Sequence, residues 1–109
     1  MPNRLTTIYA QSARIGVRDV RVVELFDHAF RCADTLAHTD APRRALLELL
    51  DSLVLLTETC AALSVPVPRG AYIATDFLRW ILPISAGLDA ESTRSVAAVV
   101  REDLLSDVG

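Results

Sequence analysis

His28 and Cys32 stand four residues apart in a stretch of helical periodicity, a spacing that brings both side chains to one side of a helix. With His38 and Cys60 they supply four metal-ligand side chains. With Glu24 they make a Cys–His–carboxylate stack of the kind that activates a thiol nucleophile. Neither chemistry is expected. Structural zinc sites draw on tight pairs such as C-x-x-C, and the chain has none. Cys60 falls on an apolar helix face, where a free thiol packs as a small hydrophobe. His28 points away from the apolar stripe of its own helix. Glu48, Asp51 and Glu58 share another stripe, but acid–base work needs two carboxyls in unlike environments, and a solvated stripe gives both the same one. No G-x-S-x-G, P-loop or G-x-G-x-x-G occurs, and all 11 basic residues are arginine, which excludes any lysine-based mechanism. No catalytic residue, metal ligand or cofactor is therefore expected.

One serine sits in a more specific setting. Asp51-Ser52-Leu53 follows Glu48-Leu49 and precedes Ala62-Leu63-Ser64-Val65-Pro66-Val67-Pro68 and Thr75-Asp76-Phe77-Leu78. Over about 22–82 this resembles the acyl and peptidyl carrier proteins. The resemblance implies a phosphopantetheine arm on Ser52, the end of a carrier's second helix near 62–68 and the start of its last near 75. The chain departs from the carrier pattern before the serine. Carriers place a glycine and a loop there, whereas Leu46-Leu47-Glu48-Leu49-Leu50 continues a helical period that begins at Asp40. Ser52 then falls mid-helix. A carrier modified on Ser52 is the first alternative function.

A second alternative is a helix-turn-helix DNA-binding regulator. Ser92, Thr93, Arg94, Ser95 and Arg101 follow the Ser85-Ala86-Gly87 break and are residue types that touch phosphates and bases. Glu91, Glu102 and Asp103 repel phosphate, and a net charge of -3 is not that of a dedicated nucleic-acid binder. The charge is uneven: Arg4, Arg14, Arg18, Arg21 and Arg31 outnumber Asp19, Glu24 and Asp27 at the start, and the remainder is acidic.

These residues are carried by helices. Of the 109 residues 51% are hydrophobic and only 6% aromatic, so the core must be Leu, Val, Ile and Ala, which suits packed helices. One domain spanning 1–109 is expected. The two cysteines are no disulfide framework, and the start of the chain lacks a secretory pattern, so a cytoplasmic location is expected. No apolar run reaches the roughly 20 residues that span a bilayer.

Turn signals at Gly16, Asp40-Ala41-Pro42, Ser64 to Gly70 and Ser85 to Asp89 divide the chain. An all-α antiparallel bundle of four main helices follows, over about 20–38, 41–63, 70–83 and 90–106, with a short helix over about 4–14 within a looser N-terminal segment 1–17. Asp19, Asp40 and Asp89 are the expected N-caps. Val22, Phe26, Ala29, Ala33 and Leu36 mark the inner face of the first main helix, with Asp27 and His28 opposite. Leu46, Leu49, Leu50, Leu53, Leu56 and Cys60 mark the second, expected at the centre of the bundle. Tyr72, Ile73, Phe77, Trp80 and Ile81 cluster on the third, and Val96, Ala97, Val100 and Leu104 line the fourth.

The second main helix is apolar around most of its girth, because Leu55 and Ala62 interrupt its polar stripe. Leu25 flanks the inner stripe of the first. The expected function is thus a non-catalytic protein–protein interaction module, a small adaptor, regulator or inhibitor, acting through apolar helix contacts and pairing with itself as a homodimer. Leu55, Ala62, Leu25 and Trp80 are the expected contact residues.

Overall fold

The computed structural model describes residues 19–106. The expected N-terminal helix and the Gly16 break lie outside the described residues. The described chain is four helices: α1 (Val20–His38), α2 (Pro42–Ala62), α3 (Arg69–Ile81) and α4 (Ala90–Ser106), with a 3-10 helix, Leu82–Gly87, between α3 and α4. No strand occurs among these residues. None of these helices is long and apolar enough to cross a membrane.

The helices start and stop for local reasons. Asp19 caps α1, its Oδ1 accepting from the backbone N–H of Arg21 at 2.9 Å. Asp89 caps α4 by accepting from the N–H of Ser92 at 2.7 Å. Asp40 does not cap α2: that position belongs to Ala41, which makes no side-chain cap bond, and Pro42 opens the helix where its missing N–H is no loss. Thr39 instead accepts from the N–H of Ala41 at 3.0 Å and tightens the turn. At the far end of α2 the chain turns through Ser64, whose φ of 57° lies in the left-handed region. Pro83 ends α3, yet the chain does not open into a loop: Leu82–Gly87 winds on as a 3-10 helix that buries Ser85.

Consecutive helices pack side by side, and α4 returns to pack on α1, which closes a four-membered ring. α2 sits at one corner, between α1 and α3, rather than at the centre. It buries one face only (Ala45, Leu46, Leu49, Ser52, Leu53, Leu56, Cys60) and leaves Leu47 and Leu55 exposed. The expected inner faces of α1 and α4 are buried throughout.

α3 differs from its expected face. Gly70, Ala71, Ala74, Thr75, Leu78 and Ile81 turn inward, while Tyr72, Ile73 and Trp80 face out, Trp80 at 71% exposure. The inner face thus joins small residues to Leu78 and Ile81, and the largest side chains are left on the outer flank. Asp27 is a second difference. It is 7% exposed, not solvated, with Oδ2 paired to Arg31 Nε at 3.1 Å and Oδ1 buried without a hydrogen-bond partner.

Candidate functional site

The side chains with chemical potential meet where α1 lies against α2. His28 Nδ1 and Ser52 Oγ are 2.9 Å apart, a hydrogen bond joining residues 24 positions apart in the chain. Around it lie two shallow depressions. One, of about 330 Å³, is lined by Cys32, Glu48 and Asp51 with His28, Ser52 and Leu55. The other, of about 490 Å³, holds Arg21, Leu25, Leu55 and Thr59 among its lining residues.

The register of this face follows from the short turn at Thr39–Ala41. Arg21 lies beside Thr59, Leu25 beside Leu55, His28 beside Ser52 and Cys32 beside Glu48. Steps of four, three and four residues along α1 are matched by the same steps backwards along α2, as an antiparallel pair requires.

This cluster is poorly built for catalysis. The Cys32 sulfur is 3.8 Å from Nδ1 and 3.9 Å from Nε2 of His28. Near-equal distances place it midway between the two nitrogens, along neither in-plane lone pair, so it has no directed bond to a base. Burial first, and then the Glu48 carboxylate, push the Cys32 thiol above its ordinary value, against a smaller opposing pull from Arg31. A nucleophilic cysteine needs the reverse. Ser52 is 4% exposed, in the interior of an unbroken helix whose backbone N–H groups are already engaged, so no oxyanion donor stands beside it. Among the described residues no group of three His, Cys, Asp or Glu side chains could hold a metal ion. Cys60 is fully buried and its thiol is raised by that burial. It does not join His28 and Cys32.

A carrier serine must be reached by a transferase, and the unbroken α2 withholds the Ser52 hydroxyl from solvent. On α4, Arg101 pairs with Asp34 of α1 at 3.2 Å, which holds it against the bundle.

The expected contact residues divide into two groups. Leu55 is 50% exposed and Leu25 is half-buried beside it. Ala62 is exposed and, seven residues after Leu55, lies on the same stripe of α2. Trp80 is elsewhere: α3 packs on the opposite flank of α2, where Val54, Thr57 and Glu58 face Tyr72, Asp76 and Arg79. The His28–Ser52 bond was not foreseen from the sequence. The turn length and helix register would have paired the two. The chain matches no protein-family model, no curated protein and no solved structure.

Proposed function

We propose that this chain is a non-catalytic protein–protein interaction module whose working surface is the α1–α2 face and whose partner is a second copy of itself. The observation that carries this is the grouping of Leu55 with Leu25 over two adjoining depressions, in place of apolar residues scattered singly. Fully burying a leucine contributes about 1.5–3 kcal/mol. Leu55 is half-exposed already, so docking gains about half of that at each copy. A two-fold interface counts every such contact twice. Against an association cost of roughly 4 kcal/mol or more, the about 1.5–3 kcal/mol from the two half-buried leucines is not enough alone, so the rest of the face must close with them and a weak dimer is expected. The two free thiols fit a reducing compartment, such as the cytoplasm.

The test is light scattering over a dilution series through the micromolar range. Wild type is expected to pass from dimer to monomer, and Leu55→Glu to be monomeric throughout with an unchanged far-ultraviolet circular dichroism spectrum. A wild type monomeric at every concentration, or a Leu55→Glu protein that elutes as wild type does, overturns the proposal.

A further inference from the structure

Where α2 begins, it stands beside the 3-10 helix Leu82–Gly87, and a groove of about 510 Å³ lies between them. Its surface is mostly apolar, with Ala41, Pro42 and Leu47 from one element and Ala86 from the other. Ser85 also lines it, but that hydroxyl is spent: it donates to the Leu82 carbonyl at 2.7 Å. Leu47 is 40% exposed there, although Leu46 and Leu49 are buried.

The charge on this groove has one sign. Arg43 and Arg44 are the charged side chains that line it. Arg43 is exposed and pairs with no acid among the described residues. Arg44 reaches Glu48 at 3.5 Å, but the two side chains are 84% and 56% exposed, so the pair is weak and yields to a competitor. α2 has no acidic residue in its first turn and no side-chain cap, so no carboxylate of its own occupies that place. Asp40 is exposed just before the helix and does not line the groove.

We infer that the groove docks an acidic segment of another protein, with a large apolar side chain seated between Leu47 and Ala86 and carboxylates on Arg43 and Arg44. Two arginines beside apolar surface select such a partner by both features. Guanidiniums take carboxylates through forked hydrogen bonds and disfavour a basic segment. Ala41, Leu47 and Ala86 are all exposed, so the groove is open and suits a peptide lying along it better than a small molecule, which binding pockets enclose. Two copies paired groove to groove would crowd these arginines together, which like charge opposes. The groove is separate from the self-association proposed above, because no residue lines both it and the depressions on the α1–α2 face.

The probe is a synthetic peptide, Gly-Ser-Leu-Glu-Glu-Leu-Ser-Gly, beside the same peptide with lysine for both glutamates. Each is titrated into isotope-labelled protein and followed by amide chemical shifts. The glutamate peptide is expected to shift the amides of Arg43, Arg44, Leu47 and Ala86. The lysine peptide is expected to bind about tenfold more weakly at low salt, the size of two exposed charge pairs. Arg43→Glu with Arg44→Glu is expected to cut the affinity for the glutamate peptide about tenfold and to turn the preference towards lysine. Arg43→Gln with Arg44→Gln sets no new acid beside Glu48 and is expected to lose less. Leu47→Gln leaves the charges alone and is expected to weaken the glutamate peptide about fivefold, through the apolar contact it removes. Circular dichroism checks that each variant is folded. No shift at these residues with the glutamate peptide in millimolar excess, or equal binding of the two peptides, overturns the proposal. Vesicles of phosphatidylcholine with phosphatidylserine form the second arm. Co-sedimentation with them that is lost on Arg43→Glu with Arg44→Glu, while the glutamate peptide causes no shifts, would replace the protein partner by a lipid surface.

Discussion

Replacing Asp27 by alanine is expected to stabilise the protein, which is unusual for a buried position. The carboxylate is 7% exposed, and its Oδ1 is buried with no hydrogen-bond partner. An unsatisfied buried polar atom costs about 1–3 kcal/mol. Its other oxygen pairs with Arg31 at 3.1 Å, but the Arg31 side chain is 64% exposed, so that pair is worth about 0–1 kcal/mol. Position 27 lies inside α1, where alanine is preferred to aspartate by about 0.5–0.7 kcal/mol. Removing the carboxyl group leaves a void of a few atoms, at about 1 kcal/mol. The gains sum to about 1.5–3.7 kcal/mol and the losses to about 1–2. The expected net is near 1 kcal/mol of added stability. For a domain of this size that raises the melting temperature by roughly 4–8 °C. Urea unfolding followed by circular dichroism, at one fixed protein concentration because self-association would shift the midpoint, measures it. A loss of more than about 1 kcal/mol would refute the reasoning.

Ser52→Ala is expected to change stability by no more than about 1 kcal/mol, since the lost bond is partly replaced by water at the exposed His28. Wild-type protein treated with a phosphopantetheinyl transferase is expected to show no added mass, and a gain abolished by Ser52→Ala would establish the carrier reading instead. Leu53→Ala, at a fully buried position, is expected to cost about 2–5 kcal/mol in urea unfolding. Asp19 and Asp89 are held below their ordinary value of 3.8, Asp19 chiefly by the Arg21 side chain and Asp89 chiefly by the Ser92 backbone N–H. A lowered folded-state value means that the unfolded chain takes up protons first. Stability is therefore expected to be full above about pH 5 and to fall as acid passes the ordinary carboxylate value and then the folded ones. Asn at both positions, measured by urea midpoint against pH, should flatten that fall. Cys32, raised by burial and by Glu48, is expected to alkylate more slowly at neutral pH than a small free thiol, and faster after Glu48→Gln.

The bundle could be read from the sequence because its apolar periods are clean. Val22, Phe26, Ala29, Ala33 and Leu36 repeat at helical spacing, and every one is buried. Large size misled the reading of α3. Tyr72, Ile73 and Trp80 look like anchors, but Gly70, Ala71 and Ala74 face inward with Leu78 and Ile81. Asp27 was misplaced for a related reason. A carboxylate is assigned to solvent by type, yet its position on the α1 wheel adjoins Val23 and Phe30, so packing carried it inward with them. Leu25 and Leu55, the proposed contact pair, were singled out one helix at a time. Their adjacency was not, since it depends on the register of two helices and not on the period of either.

The pairing of α1 with α2 also carries a polar tie. The Thr39–Ala41 turn brings α2 back along α1, and the His28–Ser52 bond fixes the sliding position of one helix on the other. A slide by one helical turn, about 5.4 Å, would part Leu25 from Leu55 and the imidazole from the hydroxyl together. A hydroxyl buried mid-helix is thus better explained by its neighbour across the groove than by chemistry of its own. It adds one directional bond to a register that the short Thr39–Ala41 turn already sets.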